Sequence, residues 1–207
     1  MNPSPTRDSS SRPLWLPVLL VAAALGWRVA KLKFGVPDFI PNFGPWMALA
    51  FAGSLVMPRS LPWWVWPALF VGCDLAVGTG QIGEMWLVYA CYGLAAIIGG
   101  WLRKRPSVMR ALGGTAMCSA AFYVVTNTQA WAMSPEYAKT FAGWVQALTT
   151  GDPAWPATWI FGLNSLFSDL AFAFLLVLAY NGEAVVRKLR SLPLIRPEEA
   201  AAVAAAA

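Results

Sequence analysis

The sequence predicts an all-α integral membrane protein of six transmembrane helices with both termini cytoplasmic. Three observations predict it. Hydrophobic residues make up 58% of the chain and charged residues 12%, where a soluble domain carries about 25% charge. Six apolar segments are separated by breaks rich in Pro, Gly and charge. The Lys and Arg residues fall unequally on alternate breaks, eleven on one side and four on the other, and the basic side is the cytoplasmic one. A single membrane domain over residues 13–192 is expected, between a Ser- and Pro-rich tail at 1–12 and an Ala-rich tail at 193–207.

The first span is expected over residues 14–30. A cleaved signal peptide is the rival reading. The tail ahead of it is long, no A-x-A site follows, and five more apolar segments come after it. Ala22, Gly26 and Ala30 share one face, which allows close approach by another helix, in the same bundle or in a partner. Residues 34–45 hold Pro37, Pro41 and Pro45, each of which removes a donor and pushes the preceding residue toward extended geometry. The second span, 46–57, is short of the roughly 20 residues a lone crossing needs. It must tilt, start below the surface, or borrow from the preceding loop.

The third span is expected over 61–77, opening on the Trp63, Trp64 and Trp66 anchor. The fourth is expected over 85–102 and the fifth over 107–126. The longest connection follows, 127–155. Within it Ser134 reads as an N-cap and Pro135 as a first helical position. Tyr137, Phe141, Trp144, Val145 and Leu148 then recur at helical spacing, which predicts an amphipathic helix at the interface or over the bundle. The sixth span is expected over 158–180.

The charge distribution bounds the partners. Arg103, Lys104, Arg105, Arg110, Arg187, Lys188 and Arg190 flank span ends, so the net charge of +5 reads as topology, with no nucleic acid implied. Three Cys and no His exclude the usual zinc patterns. No Gly-x4-Gly-Lys-Ser/Thr loop is present, so ATP hydrolysis would fall to another protein.

Gly72-Cys73-Asp74 stands out, since hydrocarbon tolerates a carboxylate poorly, at roughly 2.5–3.5 kcal/mol for Asp at mid-helix on insertion scales, and such a residue marks a candidate site. The topology sets Cys73 and Asp74 about one turn below the outer end of the third helix. The three outer connections converge there. They bring Asp38, Asn42, Phe43, Gln81, Glu84, Asn127, Gln129, Trp131 and Tyr137 to the rim of an outward-facing pocket, with Tyr89, Tyr92 and Asn164 as further candidates. Each has a plainer reading. Cys is usually a small buried hydrophobe, Cys91 and Cys118 read as packing, and Asp169 reads as paired with Asn, Ser or Arg inside the bundle.

Several motifs carry a resemblance. Pro41-Asn42-Phe43-Gly44-Pro45-Trp46, Gly72-Cys73-Asp74-Leu75, Phe122-Tyr123-Val124-Val125-Thr126-Asn127, Tyr137-Ala138-Lys139-Thr140 and Ser168-Asp169-Leu170 together resemble ECF-transporter S-component-like proteins, over most of residues 14–182. The cysteine before Asp74 is similar to that of the solitary cobalamin (vitamin B12) transporters of Gram-negative bacteria. The resemblance implies a six-helix S-component bundle in the inner membrane and capture of cobalamin from the periplasmic side. It also implies Cys73 as axial cobalt ligand, in a transporter that works alone or with an energising module docked through the Ala22/Gly26/Ala30 face. With no His to offer, a thiolate is the strongest cobalt ligand in the chain, and the metal itself would lower the thiol pKa. Such ligation would displace or labilise the ligand on the opposite face, cyanide included. Asp74, about 100° round the helix, would support. The alternatives are an S-component-like transporter for another vitamin or small molecule, or a non-transport membrane subunit. Nucleophilic catalysis at Cys73–Asp74 lacks a partnering base.

Overall fold

The shortest of the long apolar segments forms the centre of the molecule. The computed structural model describes residues 15–34, 42–57, 61–78, 83 and 85–196. Among these are seven helices: α1 (Trp15–Phe34), α2 (Trp46–Val56), α3 (Val65–Val77), α4 (Trp86–Leu102), α5 (Val108–Met133), α6 (Phe141–Leu148) and α7 (Thr158–Val186). No strand is present among the described residues. Five helices close a ring, with α1 against α3, α3 against α4, α4 against α5, α5 against α7, and α7 back against α1. Inside the ring α2 touches α3, α4, α5 and α7, while α6 lies over α5 and α7.

The composition of α2 explains its position. Ala48, Leu49, Ala50, Phe51, Ala52, Ser54 and Leu55 are all buried, and the alternation of small and large residues lets neighbours close in from every side. Two neighbours do so through glycine. A Cβ on Gly99 of α4 would run into the Phe51 carbonyl oxygen, and one on Gly114 of α5 would run into the Phe51 ring. Residues Leu49–Gly53 form a π-helical turn, the kind of local widening that occurs as single turns inside α-helices. The Trp66 ring packs beside Gly53 at that point.

A helix buried at both ends needs partners for its terminal backbone groups. At the start of α2, Asp169 of α7 accepts from the N–H groups of Met47 and Ala48, each at 3.1 Å. Ser168 Oγ accepts from the Gly44 N–H at 3.1 Å. At the far end, Arg103 donates from Nε to the Ser54 carbonyl at 2.7 Å and from Nη2 to the Leu61 carbonyl at 3.0 Å. The negative group faces the positive end of the helix dipole and the positive group the negative end. Glu183 of α7 does the same for α1, accepting from the Leu16 N–H at 2.8 Å while pairing with Arg187 at 3.0 Å. This is why α2 can be short: it contributes to the core and takes no part in the ring's outer surface.

That outer surface is apolar on every side. Leu19 of α1, Leu75 of α3, Leu94 of α4, Met117 of α5 and Phe167 and Leu178 of α7 are all exposed. Soluble monomers rarely show such continuous apolar surface. Two helices, α5 and α7, are long and apolar enough to cross a membrane, at about 39 and 43 Å from a rise of 1.5 Å per residue. α2, α3 and α4 are apolar but shorter.

Several boundaries differ from the sequence expectation. α1 runs on to Phe34 and α7 to Val186. α5 continues to Met133, well past residue 126, so Asn127 and Trp131 are helical. Ser134 does not start a helix. It is the C-cap residue of α5, and its Oγ accepts from the Glu136 N–H at 3.2 Å in a local turn. Lys139 Nζ donates to the Trp131 and Ser134 carbonyls, and Trp131 Nε1 donates to the Ala138 carbonyl at 2.9 Å. These bonds complete the α5 terminus and hold residues 134–140 as a loop. The amphipathic helix starts later, with Thr140 as N-cap accepting from the Gly143 N–H at 3.2 Å. Phe141, Trp144, Val145 and Leu148 lie on it, and Tyr137 does not.

Candidate functional site

The end of the bundle that carries the start of α2 gathers two polar assemblies. The first lies among α1, α3 and α4. Asp74 is 2% exposed and is gripped by Arg28 through both carboxylate oxygens, Nη2 lying 2.6 Å from Oδ1 and 2.7 Å from Oδ2 and Nε 3.0 Å from Oδ1. Tyr89 donates its hydroxyl to Oδ2 at 2.7 Å. The Arg28 guanidinium in turn lies 4.6 Å above the Trp46 ring. Four hydrogen bonds on one buried carboxylate leave it well satisfied, and a charge so paired is stable where a lone one would not be. Cys73, one position along, is half-buried, and α3 ends four residues past Asp74 on Gly78 in the left-handed conformation that favours glycine.

A run of aromatic contacts leads from this cluster across the core. Trp46 meets Phe70 edge-on at 6.0 Å, Phe70 meets Tyr92 at 4.9 Å, and Tyr92 stacks on Phe122 at 5.6 Å. Phe122 belongs to the second assembly.

That assembly is a cavity of about 270 Å³ between α5, α7 and the connection that carries α6. Phe122, Tyr123, Thr126 and Asn127 line it from α5, and Phe161 and Ser165 from α7. Asn42, Tyr137, Asp152 and Trp155 close it from the loops. Asn42 adopts φ 57°, a left-handed conformation that Asn tolerates better than most residues, and its carbonyl accepts from Ser165 Oγ at 3.2 Å. Tyr123 donates its hydroxyl to the Leu148 carbonyl, which ties the C-terminus of α6 to the wall. Ser119, at the inner end, donates to Asp169 Oδ2 at 2.9 Å, so the cavity floor and the cap of α2 share one carboxylate. Burial, with the nearby charges of Asp152 and Glu136, pushes the Tyr137 phenol above its ordinary pKa.

The residues expected from sequence are therefore divided. Asn42, Asn127 and Tyr137 come together in the cavity wall. Cys73, Asp74 and Tyr89 belong to the α1–α3–α4 cluster and are not in that wall. Phe43 packs on Phe167 with ring centres 6.4 Å apart, and Trp131 pins the loop after α5. Asp38, Gln81 and Glu84 lie outside the described residues. Asp169 pairs with Ser119, as its bundle-interior reading anticipated, and Cys91 and Cys118 line an apolar groove between α4 and α5.

Sequence reading missed Arg28 as the partner of Asp74, although a lone cation inside an apolar segment was visible beside a lone carboxylate inside another. It also missed Asp152, Trp155, Phe161 and Ser165, for which no local signal existed.

Fold and site together define a helical bundle with an apolar exterior and a solute-sized cavity at one end of its ring. The chain belongs to DUF6580, a family of unknown function, whose family model matches residues 8–192. No curated protein and no solved structure shows significant similarity to it.

Proposed function

We propose that the protein is a six-span inner-membrane solute-uptake protein of S-component-like architecture, which captures a small molecule in the cavity between α5 and α7. The cavity is the observation that carries this reading: it is concave, lined by aromatic rings together with Asn, Ser, Thr and Asp side chains, and set at one end of a bundle with an apolar exterior. α1, α2, α3, α4, α5 and α7 are the six spans, with α2 enclosed. Arg103, Lys104, Arg105, Arg110, Arg187, Lys188, Arg190 and Arg196 lie at the opposite end from the cavity, so the positive-inside rule turns the cavity outward and both termini to the cytoplasm. Ala22 and Gly26 are exposed on α1, and a Cβ on Gly26 would meet nothing within 4 Å. That open face supports docking of an energising partner.

Two measurements test it. Reporter fusions should place residue 83 outside and the C-terminus inside. Native mass spectrometry of gently purified protein should reveal a bound small molecule that Ser165→Trp, which fills the cavity, removes. Identical bare spectra for both proteins would remove the cavity from function, and would favour a non-transport membrane subunit.

Cobalamin as the cargo is a second reading, favoured by one observation. Arg28 and Tyr89 occupy Asp74, so the half-buried Cys73 thiol is the group of the pair left to meet a ligand. Seated there, the corrinoid would lie beside α3, outside the α5–α7 cavity, with the Cys73 thiolate on cobalt and axial cyanide labilised. The visible spectrum of cyanocobalamin should then shift on mixing with the protein and stay unshifted with Cys73→Ala. An unshifted spectrum with the unaltered protein ends this reading.

A further inference from the structure

The walls of the α5–α7 cavity carry information about charge. Five of the hydroxyl and amide donors in the wall are already spent on the protein itself. Tyr123 donates to the Leu148 carbonyl, Thr126 to the Phe122 carbonyl at 2.8 Å, and Ser165 to the Asn42 carbonyl at 3.2 Å. Ser119 donates to Asp169, and one N–H of Asn127 goes to the Tyr123 carbonyl at 2.8 Å. These groups keep oxygen lone pairs, including that of the Asn127 side-chain carbonyl, and Asn127 keeps one N–H.

The ionisable balance points the same way. Asp152 is the one carboxylate among the described lining residues, and no Lys or Arg is among them. Its Oδ1 accepts from the Ala154 N–H at 2.9 Å, which holds the carboxylate in a fixed turn. The nearest loop cation, Lys139, is tied to the carbonyls at the end of α5. Burial first, and the negative charges of Asp152 and Glu136 after it, raise the Tyr137 phenol above its ordinary pKa. Aromatic side chains complete the wall, with Phe122, Tyr123, Tyr137, Trp155 and Phe161 all contributing. A cation is attracted to such rings, whereas an anion meets the Asp152 carboxylate with no Lys or Arg among the described lining residues to offset it.

We infer that the cavity selects organic cations, that is, small aromatic or heteroaromatic molecules bearing a protonated nitrogen, with Asp152 as the counter-charge and the aromatic wall as the cation's seat. This rests on the reading of the cavity as a solute site and adds the class of solute.

Three indoles that share a ring and differ in charge test it: tryptamine (cation), tryptophol (neutral) and indole-3-acetate (anion). Binding is measured by isothermal titration calorimetry on full-length protein in nanodiscs. Tryptamine should bind about tenfold more tightly than tryptophol, and indole-3-acetate should not bind measurably. Asp152→Asn, in a partly exposed loop, should fold normally and reduce the tryptamine advantage to below about threefold. Equal or better binding of the neutral or anionic indole, or a tryptamine advantage that survives Asp152→Asn, overturns the charge assignment. If such binding is still lost in Ser165→Trp, the cavity stands as a solute site and only its charge class falls. Failure of all three indoles to bind overturns this assignment, and the native mass spectra decide separately whether the cavity holds a solute.

Discussion

Arg28 of α1 grips Asp74 of α3 with both carboxylate oxygens engaged at 2.6 and 2.7 Å, and the pair is buried together, 12% and 2% exposed at the side chains. A lone buried charge in this environment would be costly, so each residue is tolerated because the other is present. The pair clamps α1 to α3 at the end of the bundle where α2 begins.

Removing one partner should therefore cost more than removing both. Arg28→Met or Asp74→Asn alone should destabilise the protein by about 3–5 kcal/mol, and the double variant should recover a large part of that loss. Unfolding of the four proteins in one detergent, treated as a double-mutant cycle, reads the coupling. Additive losses would show that the pair does not act as a unit.

Asp169 makes a sharper prediction because its acceptor matters more than its charge. Asp169→Ala leaves the Met47 and Ala48 N–H groups without a partner inside the core and should cost about 1–3 kcal/mol. Asp169→Asn keeps a carbonyl oxygen in place and should cost less. Arg103→Ala, at the other end of α2, should resemble Asp169→Ala. Thermal unfolding monitored by circular dichroism gives the order of the three.

Glycine substitutions can locate the tight face of the ring. Gly99→Ala drives a methyl into the Phe51 backbone, and Gly114→Ala drives one into its ring. Overpacking of this kind costs about 1–3 kcal/mol. Gly93→Ala on the same helix as Gly99 meets nothing within 4 Å and should be neutral or stabilising by up to about 1 kcal/mol from helix propensity alone. A melting-temperature series on the three variants distinguishes close packing from a general intolerance of α4 and α5.

Thiol reactivity should separate the cysteines by position. Cys73 is half-buried near the end of α3, while Cys91 and Cys118 line the apolar α4–α5 groove. A membrane-impermeant maleimide should label Cys73 from the outer side of intact spheroplasts and leave the other two unlabelled until a lipophilic reagent is used. Labelling of Cys73 only from the cytoplasmic side would reverse the proposed orientation.

Much of the fold was legible because apolar length is a local property. Each ring helix follows from a predominantly apolar run, and each break follows from Pro, Gly or charge. The end of α5 was misplaced for an equally physical reason. Ser134-Pro135-Glu136 carries good N-cap chemistry, but Lys139 and Trp131 use that stretch to finish the preceding helix.

The cavity was legible only in part. Asn42, Asn127 and Tyr137 were candidates because polar residues stood beside aromatic ones near span ends. Ser165 joins Asn42 across 123 positions of sequence, and Asp152 reads locally as a turn residue, so no pattern of spacing could have assembled them.

By itself, then, the sequence determined the apolar composition of the protein, its helical class and the basic end of the bundle, since hydropathy and charge act through composition along short stretches. The tertiary structure alone decided that the short α2 is enclosed by the others, that Arg28 and not the solvent answers Asp74, and that the cavity lies at α5 and α7 and not at Cys73. Those outcomes depend on which helix faces meet, and that is set by volume, glycine contacts and buried hydrogen bonds between residues far apart in the chain.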